Sequence, residues 1–208
     1  VDELVAARVP FITMSRSVAD GPSIPPIDFV GVDNDRGAFI ALDHLIRLGH
    51  ERIAILTGDL NTSTGYKRLY GAREALKAHG IEGDAELILN GGDFYRQTGY
   101  RLTEKLLKIR PRPTAVFAHS DHMAMGVLEC LSDRRIKVPQ KMAVVGFDNI
   151  EMAGLQSVNL TTISQNKSTL GRLAMDLLVE KIQAKTKSVA NRVLLEPILK
   201  IRKTCGAL

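Results

Sequence analysis

Side chains able to grip a small polar molecule stand just past the apolar runs of this sequence. "RIAIL" (52–56) is followed by Thr57 and the polar loop "GDLNTSTGYKR", which contains Thr62, Thr64 and Arg68. "ELIL" (86–89) is followed by Gly91, Gly92, Asp93, Phe94 and Tyr95. "TAVFA" (114–118) leads into His119, Ser120 and Asp121, and "MAVVGF" (142–147) ends at Asp148 and Asn149. Hydroxyls, carboxylates, a guanidinium and an aromatic ring at strand ends suit a small polar ligand.

Each group also has a plainer reading. Asp148 and Asn149 favour turns by themselves. Asp121 suits a helix N-cap, Phe94 a core position under a loop, and Arg68 a pair with a surface acid. Thr62 and Thr64 suit an ordinary loop. Their joint occurrence at strand ends is what argues for a site. Signals for catalysis are weak. "GDLNTSTG" has Tyr66 and Lys67 where a P-loop needs its Lys-Ser/Thr pair. His119 and His122 flank Asp121 but lack a third ligand at metal spacing, so they read as a loop histidine and an exposed helix histidine. Cys130, among Val127, Leu128 and Leu131, reads as a small core residue. No catalytic residue, metal or cofactor is expected.

These groups need a scaffold, and the chain has one to offer. Its 208 residues are 45% apolar and 25% charged, enough for a real core in one or two domains. No apolar run is long enough to span a membrane. Cys130 and Cys205 are too few and too distant for a disulfide framework, which favours a reducing cytoplasm. The net charge of +5 comes from scattered Lys and Arg, so a solvated surface is favoured over a nucleic-acid patch.

Short apolar runs alternate with helical patterns. Strands are expected at 10–15, 28–33, 52–56, 86–89, 114–118, 142–147, 160–164 and 192–202, the last with an interior Pro197 that suggests an edge. A Pro-, Gly- and Ser-containing loop joins the first two. Helices are expected at 34–49, 65–80, 96–109, 122–131 and 168–183, and Ser120 or Asp121 would cap the fourth. Strands separated by helices imply βαβ units, a mostly parallel sheet, and ligands bound beyond the strands' carboxyl ends.

Several stretches, in order, resemble the effector-binding core of the lactose-repressor/galactose-repressor family of bacterial transcription regulators. They include "VDNDRGAFIALDHLIRLGHERIAILTG", "RLYGAREALKAHG", "RPTAVFAHSDHMAMGVLECL", "VPQKMAVVGFDNIEMA", "LTTISQNKSTLGRLAMDLLVEKI" and "EPILKIRKT". Together they cover about residues 28 to 204. The resemblance implies a periplasmic-binding-protein-like α/β fold, with parallel sheets flanked by helices in two subdomains and the ligand between them. Residues 1–49 and 165–187 would form a partial N-terminal subdomain, and 50–161 and 190–204 the C-terminal one. The family's DNA-binding headpiece is absent from this sequence, as are the first strands of the N-terminal subdomain. The chain is therefore expected to expose apolar faces and not to bind operator DNA alone.

The resemblance also assigns roles. Arg68 matches an arginine that grips the effector, Asp148 an aspartate that accepts its hydrogen bonds, and Phe94 an aromatic that stacks on it. Thr62 and Thr64 fall in an effector-contacting loop. Ser120 stands where a number of members place Asn, and Gln165 lies at a crossover. The implied function is effector sensing in a ligand-controlled repressor, with a sugar or similar polar metabolite altering operator affinity. A homodimer is implied too, and the 122–132 helix, with Met123, Met125 and Leu128, is its candidate interface. The alternative is a periplasmic sugar-binding receptor of a transporter.

Overall fold

The computed structural model describes residues 1–17, 27–183 and 190–207. Most of the expected loop between the first two strands, and residues 184–187 of the expected first subdomain, lie outside the described residues. In chain order the structure runs α1 (Asp2–Ala6), β1 (Thr13–Met14), β2 (Phe29–Val32), α2 (Asn34–Arg47), β3 (Ile53–Thr57) and α3 (Ser63–Ala78). It continues through β4 (Ile88–Asn90), α4 (Arg96–Leu106), β5 (Ala115–Ala118), α5 (Asp121–Asp133) and β6 (Ala143–Asp148). Last come β7 (Thr161–Ser164), α6 (Lys167–Gln183), β8 (Arg192–Leu195) and β9 (Ile198–Lys200).

Two units result, one of residues 1–33 and 165–196, the other of residues 34–164 and 197–208. These limits differ from the sequence expectation at 34–49 and at 190–196. α2 packs on α3 and so belongs with the larger unit. β8 pairs in parallel with β2 of the smaller one.

The smaller unit has a three-stranded parallel sheet in the order β1-β2-β8. β2 is central and wholly buried, as an apolar run in a parallel sheet must be. α6 lays Leu170 and Ala174 on Val30, with Ile12, Val193 and Leu195 packed around them. The Asp28 carboxylate ties the elements together, accepting the Asn191 N–H at 2.6 Å and pairing with Lys181 of α6. Met14, Met175, Val179, Ile182 and Leu194 stand in solvent, matching the expectation of exposed apolar faces.

The larger unit has a six-stranded sheet in the order β4-β3-β5-β6-β7-β9. Only β9 is antiparallel. One face of the sheet presents Ala54, Leu56, Val116, Ala118 and Val144 to Leu102 and Leu106 of α4 and to Met123, Val127, Cys130 and Leu131 of α5. α2 covers the other face, where Gly37 admits the Phe147 ring. α4 and α5 approach so closely that a Cβ at Gly126 would overlap the Arg96 carbonyl oxygen. Helices thus cover both faces, as the alternating pattern implied.

Three expectations change. The 192–202 stretch is two strands in different sheets, because Pro197 lacks an N–H and interrupts the ladder. The first half of 86–89 is a 3₁₀ turn, Ala85–Leu87, folded by the Asp84 carboxylate accepting the Glu86 N–H at 2.9 Å. Met123, offered as an interface residue, is fully buried within its own unit, and Met125 and Leu128 are half-buried. Among the described residues, no helix is long and apolar enough to cross a membrane.

Candidate functional site

Because β3 to β7 run parallel, their carboxyl ends lie along one edge of the larger sheet. Side chains from four of the connections meet there. The loop after β3 turns into α3 at Thr62, whose Oγ1 accepts the Gly65 N–H at 3.1 Å and donates to the Asp59 carbonyl at 2.6 Å. This makes Thr62 the N-cap of α3, with its hydroxyl 3.2 Å from that of Thr64.

Arg68 lies one turn further along α3 and is only 4% exposed. Its Nε donates to Asn34 Oδ1 at 2.7 Å, its Nη1 to the His119 carbonyl, and its Nη2 to Asp148 Oδ1 at 3.3 Å. The guanidinium also lies 3.6 Å from the centroid of the Phe147 ring. A buried cation with directed acceptors and an aromatic face beneath it is a fixed donor array and not a mobile surface charge. The surface-acid reading of Arg68 therefore fails.

Ser120, not Asp121, is the N-cap of α5: its Oγ accepts the Met123 N–H at 3.1 Å. The same hydroxyl donates to the Phe94 carbonyl at 2.9 Å, which draws the 91–95 loop over the rim. The Phe94 ring lies where a Cβ on Gly58 would be, so the glycine after β3 makes room for it. His119 lies in the connection between β5 and α5, as expected of a loop histidine, but it is fully buried, 5.5 Å from the Phe117 ring, with both ring nitrogens lacking a hydrogen-bond partner. Burial, and then the charge of Arg68, hold its pKa well below the ordinary 6.5, so the imidazole is neutral. His122 is exposed, as expected.

Asp148 is the last residue of β6, with its side chain 19% exposed. Its φ of 120° and the 50° of Asn149 are positive, which is uncommon for residues bearing a Cβ and marks a strained turn. Thr62, Thr64, Arg68, Phe94, Ser120 and Asp148 all belong to the larger unit, whereas Gln165, 9% exposed, belongs to the smaller one. Sequence reasoning missed Asn34 and the His119 carbonyl as partners of Arg68. It also missed Asp121, Thr162 and Arg202, which hold the turn after Asp148. Among the described residues, no three His, Cys, Asp or Glu gather as a metal site would require.

Parallel strands ending at a polar rim, within two α/β units that the chain crosses between three times, define a periplasmic-binding-protein-like protein. The family model for the periplasmic binding protein-like domain matches residues 42–205. The chain belongs to the LacI family of regulators, for it is 30% identical to a LacI family transcriptional regulator from Enterococcus faecium solved with bound ribose, at a TM-score of 0.83 over 98% of this chain and 73% of that one. It superposes on the transcriptional regulator CelR in complex with cellobiose at a TM-score of 0.89, with 34% identity over 97% of this chain and 60% of that one. It is 38% identical over 195 residues to the ribose operon repressor of Escherichia coli (strain K12), covering 92% of this chain and 56% of that protein. Over 165 residues it is 34% identical to the HTH-type transcriptional repressor PurR of Vibrio atlanticus (strain LGP32), 79% of this chain and 49% of the relative. The chain thus spans about half the length of these two repressors.

Proposed function

We propose that this chain is the effector-sensing part of a ligand-controlled DNA-binding repressor that acts in the cytoplasm as a homodimer. The observation that carries this reading is the buried guanidinium of Arg68, fixed 3.3 Å from Asp148 at the carboxyl edge of a parallel sheet. Arg68 donates and Asp148 accepts, a pair of functions that matches the hydroxyl of a sugar or similar polar metabolite. Phe94 supplies an apolar face, and the Thr62–Thr64 hydroxyls line the neighbouring loop. Ribose and cellobiose in the two related regulators support a sugar as the effector.

An effector shifts a conformational equilibrium only by its differential affinity for the two states. Coupling of about 1–3 kcal/mol would change operator affinity roughly 5- to 150-fold through a DNA-binding headpiece in the whole protein. A periplasmic sugar-binding receptor of a transporter is the second reading, and the regulator relatives support the first. The test is a thermal-shift screen over sugars, sugar phosphates and nucleobases. A ligand at a hundredfold excess over Kd stabilises by about 2.7 kcal/mol. The shift should disappear in folded Asp148→Ala and Arg68→Ala variants, and persistence in both would defeat the site. Sedimentation velocity tests the dimer.

A further inference from the structure

The strained turn that carries Asp148 is held from three sides by residues that do not belong to the proposed effector set. Arg202 Nη2 donates to Asn149 Oδ1 at 2.8 Å. Asp121 Oδ2 accepts the Ile150 N–H at 2.8 Å. Thr162 Oγ1 accepts the Asn149 N–H at 3.4 Å and donates to the other Asp121 oxygen. Consecutive residues after the β6 terminus are therefore gripped by side chains from α5, from β7 and from the segment beyond β9.

The grips are themselves fixed. Arg202 Nη1 donates to the Leu160 carbonyl at 2.7 Å, and its main chain exchanges hydrogen bonds with the Thr161 hydroxyl at 2.9 and 3.1 Å. Asp121 is fully buried, and the absence of a Cβ on Gly146 leaves space for its Oδ1. A buried carboxylate on the first residue of a helix would cap that helix in the simplest case, but Ser120 already does so. The two Asp121 oxygens instead accept from the Ile150 N–H and the Thr162 hydroxyl.

We propose that Arg202, acting with Asp121 and Thr162, is a positioning residue for Asp148. These side chains hold the Asp148–Asn149 backbone at its positive φ values and thereby aim the Asp148 carboxylate at Arg68. Left alone, residues bearing a Cβ relax toward negative φ. That rotation turns the Asp148 side chain away from the rim. This inference rests on the reading of Asp148 as an effector acceptor, but its geometric half can be tested without any ligand.

The test is a crystal structure of the full chain bearing Arg202→Met, which keeps the bulk and removes the donors. The expected result is a change of φ at Asp148 or Asn149 and loss of the Arg68–Asp148 hydrogen bond. Retention of both overturns the proposal. Should Arg202→Met fail to fold, Thr162→Val removes two of the same hydrogen bonds at nearly constant volume and carries the same expectation. A second arm titrates D-ribose calorimetrically into wild type, Arg202→Met, Asp148→Ala and the double variant. Each single variant should weaken binding roughly tenfold or more. The double variant should bind no worse than Asp148→Ala, because a residue that acts through Asp148 has nothing left to position. Additive losses overturn the proposal even where the fold is intact. Unchanged binding in Asp148→Ala defeats the site reading instead, and an absence of ribose binding leaves the crystal structures to decide the geometric claim.

Discussion

Acidification should destabilise this protein, and His119 is the buried side chain through which the effect can be isolated. In the folded chain the ring is wholly buried, has no hydrogen-bond partner at either nitrogen, and lies beside the Arg68 cation. Its folded pKa is therefore well below 6.5, and the unfolded chain binds a proton that the folded chain refuses. Stability is full above about pH 6.5 and falls as pH drops below it, by up to about 1.4 kcal/mol per pH unit until the folded pKa is reached. Between about pH 7.5 and pH 5.5 the loss is at most RT ln(11/1.1), or about 1.4 kcal/mol, since one of those units lies below the unfolded pKa. His119→Leu removes the titration while filling a similar space. It also removes two unpaired nitrogens, so it should be no less stable than wild type at about pH 7.5. Urea unfolding of both proteins at the two pH values measures the effect, and other titrating groups cancel in the comparison. An equal fall in wild type and variant would refute the reasoning, because it would mean that the buried imidazole accepts its proton in the folded state.

Other expectations follow from particular contacts. Gly126→Ala forces α4 and α5 apart at the Arg96 carbonyl and should cost about 1–3 kcal/mol in chemical unfolding. Asp28→Ala removes the clamp on α6 and β8 and should cost about 2 kcal/mol, with protection of amides near β8 lost first in hydrogen exchange. The thiols should differ: burial works against ionisation of Cys205, but hydrogen bonds with His44, Thr161 and the Ala207 backbone carry its pKa below 9.0, while burial raises that of Cys130. Iodoacetamide should accordingly label Cys205 before Cys130 in the native chain, and the reverse order in peptide mass spectra would contradict this.

Much of the fold could be read from one dimension. Apolar runs such as 53–57 and 143–147, separated by helical periodicity, specify a parallel sheet whatever their partners, and strand ends then share an edge by geometry alone. Which polar side chain turns inward at that edge was not legible. Ser120 and Asp121 are adjacent and both suit a cap, and only the positions of Phe94 and of the β6–β7 connection assign one to capping and the other to bracing. His119 is a loop residue, as read, but its burial was not legible, because it depends on Phe117 and Arg68 packed around it. Arg202 is distant in sequence from Asn149, so no local pattern could join them. Pro197 was read as an edge marker inside one strand, although a missing N–H can equally divide two strands between two sheets.

The strand order carries a consequence for ligand size. Across β4, β3, β5 and β6 three interstrand spacings, about 14 Å, separate the end of the strand that leads to Phe94 from the end that carries Asp148. The tether from the Ser120 hydroxyl to the Phe94 backbone folds that span back on itself, so the clearance available to a guest depends on the length of one short loop and not on the sheet beneath it. Lengthening residues 91–95, or cutting the tether, should admit bulkier molecules while every strand stays where it is.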